Sequence, residues 1–394
     1  MSRVLEGLLR VFPAQNIVVV HGTPYFEGNA VEIVNALSRR YLGSVVWLHD
    51  GTPSINLSQL PRNVSLVPKN SWRGLWAYIR SEVVFFTHGL YGDVRPPRSR
   101  TFVNLWHGDG VKVKPTSEAA SRSLFPATWV SGGTELLTRR KAADFKLGPE
   151  SVVVCGNPRV EQFGDPVPPE LLSHLGLDAG QRYVVWLPTF RTSLNNSSGG
   201  YESEEIVRDA IGVAVQTLRE SGIRVLVKPH RQDREDRSAA GVTVISDDLL
   251  SAWATPLYAL LGGSAGLITD FSSVWTDYLT LDRPIAFVIP DADKYVARRG
   301  LYPADLLEWI PGHRIENQED AAAFALEVSG RTTTSRARRS DAAVRLGLAS
   351  AVDVSDRLLE FLSDEHAFKR GTLSPRSQRD PYFPSVAGAR SVQG

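Results

Sequence analysis

The sequence predicts an α/β protein made of two successive Rossmann-like, doubly wound domains that face each other across a cleft. Three observations carry this expectation. Short, nearly continuous apolar runs alternate with segments of helical periodicity, the pattern of parallel sheets covered on both faces by helices. The alternation is interrupted between Gly164 and Gly180, where Pro166, Pro168 and Pro169 fall, and then starts afresh. A chain of 394 residues also exceeds what one core ordinarily organises, leaving room for two domains of about 150–200 residues.

Taken in order, residues 1–15 read as an amphipathic helix. Val4, Leu5, Leu8, Leu9 and Phe12, with Arg3 and Arg10, suit either a membrane interface or packing onto the body. Asn16–Gly22 is the first strand. Ala30–Tyr41 follows as a helix with Val31, Val34, Leu37 and Tyr41 on one side. Further strands are expected at Ser44–His49, Val83–His88, Thr101–Trp106, Ala127–Ser131 and Ser151–Cys155, completing a first domain over 16–165. The second domain, over 181–365, opens with the strand Tyr183–Leu187 and a helix from about Glu204 to Glu220. Strands Arg224–Val227, Ala265–Thr269 and Pro284–Ile289 follow. The arginine-rich stretch Arg331–Arg345 reads as a solvated helix face, or as a patch for an anionic acceptor or membrane surface. Residues 366–394 are rich in Ser, Pro, Arg and Gly and read as a flexible tail.

Composition narrows the function. Lys+Arg of 44 against Asp+Glu of 43 leaves no basic excess, which argues against a nucleic-acid binder. The single cysteine, Cys155, excludes an intramolecular disulfide and a cysteine-based zinc site, and its apolar surroundings suit a buried thiol. No apolar run reaches the ~18 residues of a membrane span. The first residues lack the pattern of a secretory signal, so the expected location is cytoplasmic.

Three segments place reactive side chains just past apolar strands. In Thr101-Phe-Val-Asn-Leu-Trp-His-Gly-Asp-Gly-Val-Lys112 a strand delivers His107 into a glycine-containing turn. Ligands bind at the carboxyl ends of strands in doubly wound sheets. An imidazole with an ordinary pKa of about 6.5 takes a proton from an attacking hydroxyl at neutral pH. A histidine bonded only to its own loop fits the same spacing. In Arg224-Val-Leu-Val-Lys-Pro-His-Arg231 the strand ends at Lys228, His230 and Arg231, donors suited to phosphate oxygens. In the stretch from Ala265 to Leu281 a strand runs into Asp270 and Ser272-Ser273, and a helix begins. Two hydroxyls at a helix N-terminus make an anion site. Plain N-capping by Ser272 or Asp270 explains one such residue and leaves the second serine without a reason. Asp291-Ala-Asp293 is a carboxylate pattern that can hold a metal but is frequent by chance. His21 either lines the cleft or serves the core.

Trp106-His107-Gly108 with Lys112, Gly156-Asn-Pro-Arg159, Leu187-Pro-Thr-Phe-Arg191, Lys228-Pro-His230, Leu267-Ile-Thr-Asp-Phe-Ser-Ser-Val274, and Asp293-Lys-Tyr295 with Arg299-Gly300 occur in that order. Together with Tyr25-Phe-Glu-Gly-Asn29 before the first helix, this set resembles the CDP-glycerol glycerophosphotransferase family, the teichoic-acid primases and polymerases of bacterial envelopes. The resemblance covers residues 16–330 or so. It implies a GT-B architecture, with the first domain on the acceptor side and the second holding the nucleotide donor. The donor would be CDP-glycerol or a related CDP-polyol. The acceptor would be lipid-linked or a saccharide, met in peripheral contact with the inner membrane face. An acceptor hydroxyl would attack the β-phosphorus and CMP would leave, with no cofactor or metal required. His107 matches the proposed general base, and His230, Ser272 and Ser273 match residues on the donor pyrophosphate. Lys228 and Arg231 stand beside them, and Asp270, Arg191, Asp109 and Lys112 are expected to line the cleft.

The sequence departs from the family at Asp109-Gly110, where Thr-Pro is usual. A carboxylate there would raise the pKa of the base or bind an acceptor hydroxyl. Two other readings share the pattern. One is a GT-B glycosyltransferase that breaks the C–O bond of a nucleotide sugar. The other is a non-catalytic binding protein, against which the joint presence of His107, His230 and both serines argues.

Overall fold

The computed structural model describes residues 2–22, 28–51, 60–113, 125–188, 200–229 and 241–375. They fall into two compact units. The first comprises Met1–Asp109, Thr116–Gln162 and Leu348–Gly394, and the second comprises Gly110–Pro115 and Phe163–Gly347.

The first unit carries strands β1 (Ile17–His21), β2 (Ser44–His49), β3 (Val64–Pro68), β4 (Val83–Phe86), β5 (Thr101–Asn104), β6 (Trp129–Gly132) and β7 (Val152–Val154). They pair in the order β3-β2-β1-β4-β5-β6-β7, every pair parallel. Val18, Val19 and Val20 of β1 and Val83, Val84 and Phe85 of β4 are buried, because helices cover both sheet faces, and this is why these strands read as unbroken apolar runs. The second unit repeats the plan with β8 (Tyr183–Leu187), β9 (Arg224–Val227), β10 (Thr243–Val244), β11 (Gly266–Thr269), β12 (Ile285–Phe287) and β13 (His313–Arg314). Its order is β10-β9-β8-β11-β12-β13, again all parallel. In each sheet the order reverses at one place, between β1 and β4 and between β8 and β11. The crevice outside the carboxyl ends at such a reversal is where doubly wound sheets bind ligands.

Several expectations change. Strand β3 escaped the sequence reading because Ser65 and Pro68 interrupt its apolar run, and it lies at the sheet edge with only Val64 and Val67 buried. Strands β4 and β5 stop at Phe86 and Asn104, so His88 and Trp106 belong to the turns beyond them. The Pro-rich stretch is no simple linker. The chain enters the second unit at Phe163, and Pro169–His174 forms a helix anchored there by buried Leu171, Leu175 and Leu177.

The second unit ends at Gly347, and not at 365. Helix Val354–Asp364 returns to the first unit, burying Val354, Leu358, Leu359 and Leu362. Arg40 donates to Asp356 over 2.9 Å there, and the Ser355 amide donates to Glu161 over 2.7 Å. Residues up to 375, expected as tail, continue this return: the Leu42 amide donates to the Thr372 carbonyl and the Ser374 amide to the Arg40 carbonyl, each over 2.8 Å. The rest of the expected tail, 376–394, lies outside the described residues.

Helix Ser2–Val11 packs on the first unit through buried Leu5 and Leu9, which join a core containing Tyr78 and Phe102. The arginine-rich stretch is in part a buried staple. Arg339 reaches Glu327 at 2.9 Å and Asp282 at 3.0 Å, so it does not belong to a solvated face. Among the described residues no helix is long and apolar enough to cross a membrane.

Candidate active site

The histidine turn after β5 is held from several sides. Asn104 Oδ1 accepts the Trp106 amide at 2.9 Å, turning the chain out of the sheet. Trp106 sits at φ 48°, a left-handed conformation that costs a non-glycine residue roughly 1–2 kcal/mol. Its neighbours compensate. Asn29 Nδ2 donates to the carbonyls of Leu105 at 3.3 Å and Trp106 at 3.0 Å, and Arg159 Nη1 donates to the His107 carbonyl at 2.8 Å. The Arg159 amide donates in turn to Asn29 Oδ1 at 3.1 Å, which ties the supports together. The Gly156-Asn-Pro-Arg turn that carries Arg159 requires its glycine. Gly156 has φ +106°, and a Cβ there would meet Val354 at 2.7 Å.

The Trp106 ring is wedged against Phe145 at 4.9 Å and Phe125 at 5.3 Å. The His107 ring lies on it, 4.2 Å between centroids, and stacks on His88 at 5.0 Å with 11° between planes. His107 is exposed while Leu105, Gly108 and Asp109 beside it are buried. A solvent-facing imidazole on a fixed turn is what a general base requires.

Asp109 does not line a cleft. It is fully buried, and its Oδ2 accepts the amides of Gly133 at 2.7 Å and Thr134 at 2.9 Å. Its Oδ1 faces Lys141 Nζ at 2.8 Å, which also donates to the Ser131 carbonyl at 2.8 Å. The carboxylate anchors the turn to the start of helix Glu135–Asp144, so the expectation that it binds an acceptor hydroxyl is corrected.

His21, ending β1, is buried. Burial, aided by Lys69 and opposed by Asp50 at 3.7 Å, lowers its pKa to about 4, so it is neutral at physiological pH. Cys155 is also buried, and burial pushes its thiol up to about 11. This matches the structural role expected for it.

In the second unit the buried strand β11 ends at Thr269 and runs into Asp270, whose Oδ1 accepts the Ser272 amide at 3.2 Å. Phe271 stacks on Tyr295 at 4.0 Å, which ties the turn to helix Ala292–Arg299. Ser272 and Ser273 are half-buried, and helix Val274–Tyr278 follows with no side-chain cap from Ser273. Capping therefore does not account for Ser273. Lys228, past β9, is ion-paired with Asp247 at 2.6 Å. Lys112 is half-buried on a short strand-like segment of the same unit. There the Tyr302 amide donates to the Val111 carbonyl at 2.7 Å and the Val113 amide to the Gly300 carbonyl at 3.3 Å. His230, Arg231 and Arg191 lie outside the described residues. Asp291 and Asp293 open helix Ala292–Arg299, and no cluster of His, Cys, Asp or Glu suited to a metal occurs among the described residues.

Reasoning from the sequence assigned no role to Asn29 or Arg159, although both stand in quoted motifs, and missed His88 entirely. A signal for His88 existed: it follows β4 by two residues, much as His107 follows β5.

Residues 9–362 match the family model described as CDP-Glycerol:Poly(glycerophosphate) glycerophosphotransferase. Over 248 residues the chain is 25% identical to the teichoic acid poly(ribitol-phosphate) polymerase of Bacillus spizizenii, covering 58% of this chain and 39% of that protein. Over 161 residues it is 35% identical to the teichoic acid ribitol-phosphate primase of the same organism, covering 39% of each. The matches thus span about two fifths of the length of these relatives. A solved structure of the wall teichoic acid polymerase TagF superposes with a TM-score of 0.70 at 18% identity, covering 89% of this chain and 90% of that one. The shared fold, two parallel α/β units, is GT-B-like, as the resemblance implied. With its family model matched from residue 9 to residue 362, the chain belongs to the CDP-glycerol:poly(glycerophosphate) glycerophosphotransferase family.

Proposed function

We propose that the protein transfers a glycerol-phosphate or related polyol-phosphate unit from a CDP-linked donor to an acceptor hydroxyl, releasing CMP, in the synthesis of a teichoic-acid-type envelope polymer. The observation that carries the reading is the exposed His107 imidazole, set by Trp106, Asn29 and Arg159 at the carboxyl edge of the first sheet. In this reading the acceptor O–H gives its proton to His107 as the oxygen attacks the β-phosphorus. The bond from that phosphorus to the bridging oxygen breaks, and CMP carries the charge away. Phosphoryl transfer of this kind depends mainly on positioning and on donors around the phosphorus.

The same reading assigns the donor pyrophosphate to the hydroxyls of Ser272 and Ser273 with His230 and Arg231. Lys228 would exchange Asp247 for a phosphate oxygen. No metal is needed, so transfer should survive EDTA. Glycerol and ribitol are both candidate polyols, because the family description names the first and the curated relatives name the second.

A lipid-linked acceptor at the membrane surface is part of the proposal. It is supported by an exposed face of the first unit where Val4 (65%), Val11 (75%) and Trp72 (72%) stand with exposed Arg3, Arg10 and Arg73. Trp72 stacks on Trp76 at 6.1 Å, and Trp76 meets Phe12 at 5.1 Å, so the patch joins the first helix to helix Trp72–Arg80. Aromatic and basic side chains together suit the headgroup region of an anionic bilayer.

The nucleotide product tests the reaction type. Purified protein given CDP-glycerol or CDP-ribitol and a polyol-phosphate acceptor should release CMP, separable from CDP by anion exchange. Release of a nucleoside diphosphate from a nucleotide sugar would instead establish a glycosyltransferase.

A further inference from the structure

We propose that His88 is a positioning residue for His107: its ring fixes the plane of the base and offers an aromatic face to the imidazolium formed on proton uptake. The inference rests on the reading of His107 as the general base.

The placement follows from the topology. The chain leaves β4 at Phe86, beside β1 where the strand order reverses, and β5 is the next strand across. Two residues past β4 and three past β5 bring His88 and His107 onto one edge. There the rings lie nearly parallel, 11° between planes and 5.0 Å between centroids. Trp106 completes the group, 4.2 Å from His107 and 5.5 Å from His88. Thr87, itself buried, places its Oγ1 3.1 Å from His88 Nδ1 and holds the half-buried ring from behind.

Backbone and ring of the base are thus fixed by different contacts. Arg159 and Asn29 hold the carbonyls of the turn, whereas the rings of Trp106 and His88 lie on the imidazole itself. Restricting a base to one orientation removes entropy that would otherwise be lost at the moment of reaction. The stack also bears on the charge. A protonated His107 on the faces of a neutral imidazole and an indole gains a cation–π contribution. The same cation beside a second imidazolium would be opposed. Burial lowers the pKa of His88 from its ordinary value, which favours its neutral form. Among the described residues, the charged or titratable groups around the pair include Arg159 on the His107 carbonyl, neutral His21 at the end of β1, and Asp50 and Lys69 beside His21.

The test combines steady-state CMP release with an NMR titration of the His107 ring in wild type, His88→Phe, His88→Ala and His88→Lys. His88→Ala should lower kcat by about 10- to 100-fold with the donor KM nearly unchanged. His88→Phe, which keeps a flat neutral ring, should stay within about threefold of wild type. His88→Lys puts a cation beside the base and should lower the His107 titration midpoint by about one unit. The proposal is overturned if His88→Ala keeps its kcat, if His88→Phe falls as far as His88→Ala, or if His107 titrates alike in wild type and His88→Lys. Should the alanine variant unfold, the Phe and Lys variants carry the comparison. If wild type releases no CMP from any CDP-polyol, the base reading fails, and the titration still decides whether His88 governs the His107 ring.

Discussion

The Asp109 carboxylate and the Lys141 ammonium meet at 2.8 Å in a buried ion pair, two residues beyond the candidate base. The pair explains why the sequence tolerates a carboxylate where the family usually has threonine. The charge is spent inward, on Lys141 and on the amides of Gly133 and Thr134.

Breaking that pair from one side leaves an uncompensated buried charge, which costs about 3–5 kcal/mol. Asp109→Ala should therefore lower unfolding stability by that order in a urea titration. The double variant with Lys141→Met should recover part of the loss. A single variant within about 1 kcal/mol of wild type would show that the pair is not structural.

Arg159 acts on the turn and not on the proton. Replacing it with Ala removes the guanidinium bond to the His107 carbonyl and leaves the backbone amide on Asn29 in place, so kcat should fall about 10- to 100-fold while the melting temperature changes little. Arg159→Lys should rescue poorly, because an ammonium lacks the planar fork of the guanidinium. Full activity in Arg159→Ala would contradict this role.

Stability should decline on the acid side. His21 titrates near 4 in the folded protein against an ordinary 6.5, so its stabilising neutral form is fully present above pH 6.5. The unfolded chain takes the proton first as the pH falls from 6.5 to 4. The loss levels off at about 3 kcal/mol below that window. Glu327 adds a second phase. Burial alone would raise its pKa, but hydrogen bonds from His313, Arg339 and Ser335 hold it at about 2. Its contribution is present above its ordinary 4.5 and is lost as the pH falls from there towards 2. Melting curves between pH 7 and 4 should slope downward with falling pH, and His21→Phe should flatten that slope. A wild-type midpoint that stays level from pH 7 to 4 would rule the His21 account out.

The exposed Trp72 and Val11 should matter only where a bilayer is present. Trp72→Asp with Val11→Asp should weaken sedimentation with phosphatidylglycerol vesicles at least fivefold and leave turnover of a soluble acceptor unchanged. Equal sedimentation of variant and wild type would remove this face from the proposal.

The parallel sheets were legible because both faces are covered, so their strands are written as apolar runs without polar interruption. The edge strand β3 was not, since an edge position leaves it partly exposed and admits Ser65 and Pro68. The return of Val354–Asp364 to the first unit was invisible, because Arg40–Asp356 and Ser355–Glu161 join residues far apart in the chain. At the site, His107 and Ser272-Ser273 stood out at strand ends. Asp109 was misread because its partner Lys141 lies 32 residues onward, and proximity to the base was the only clue the sequence offered. His88 was absorbed into the end of a strand that in fact stops at Phe86.

The central claim is that His107 takes the acceptor proton. The most direct measurement is CMP release by His107→Ala, with donor binding measured in parallel by calorimetry. His107→Ala should lose at least a thousandfold in kcat with the affinity for the CDP-polyol nearly intact. A variant that binds the donor and still releases CMP at near wild-type rate would contradict it.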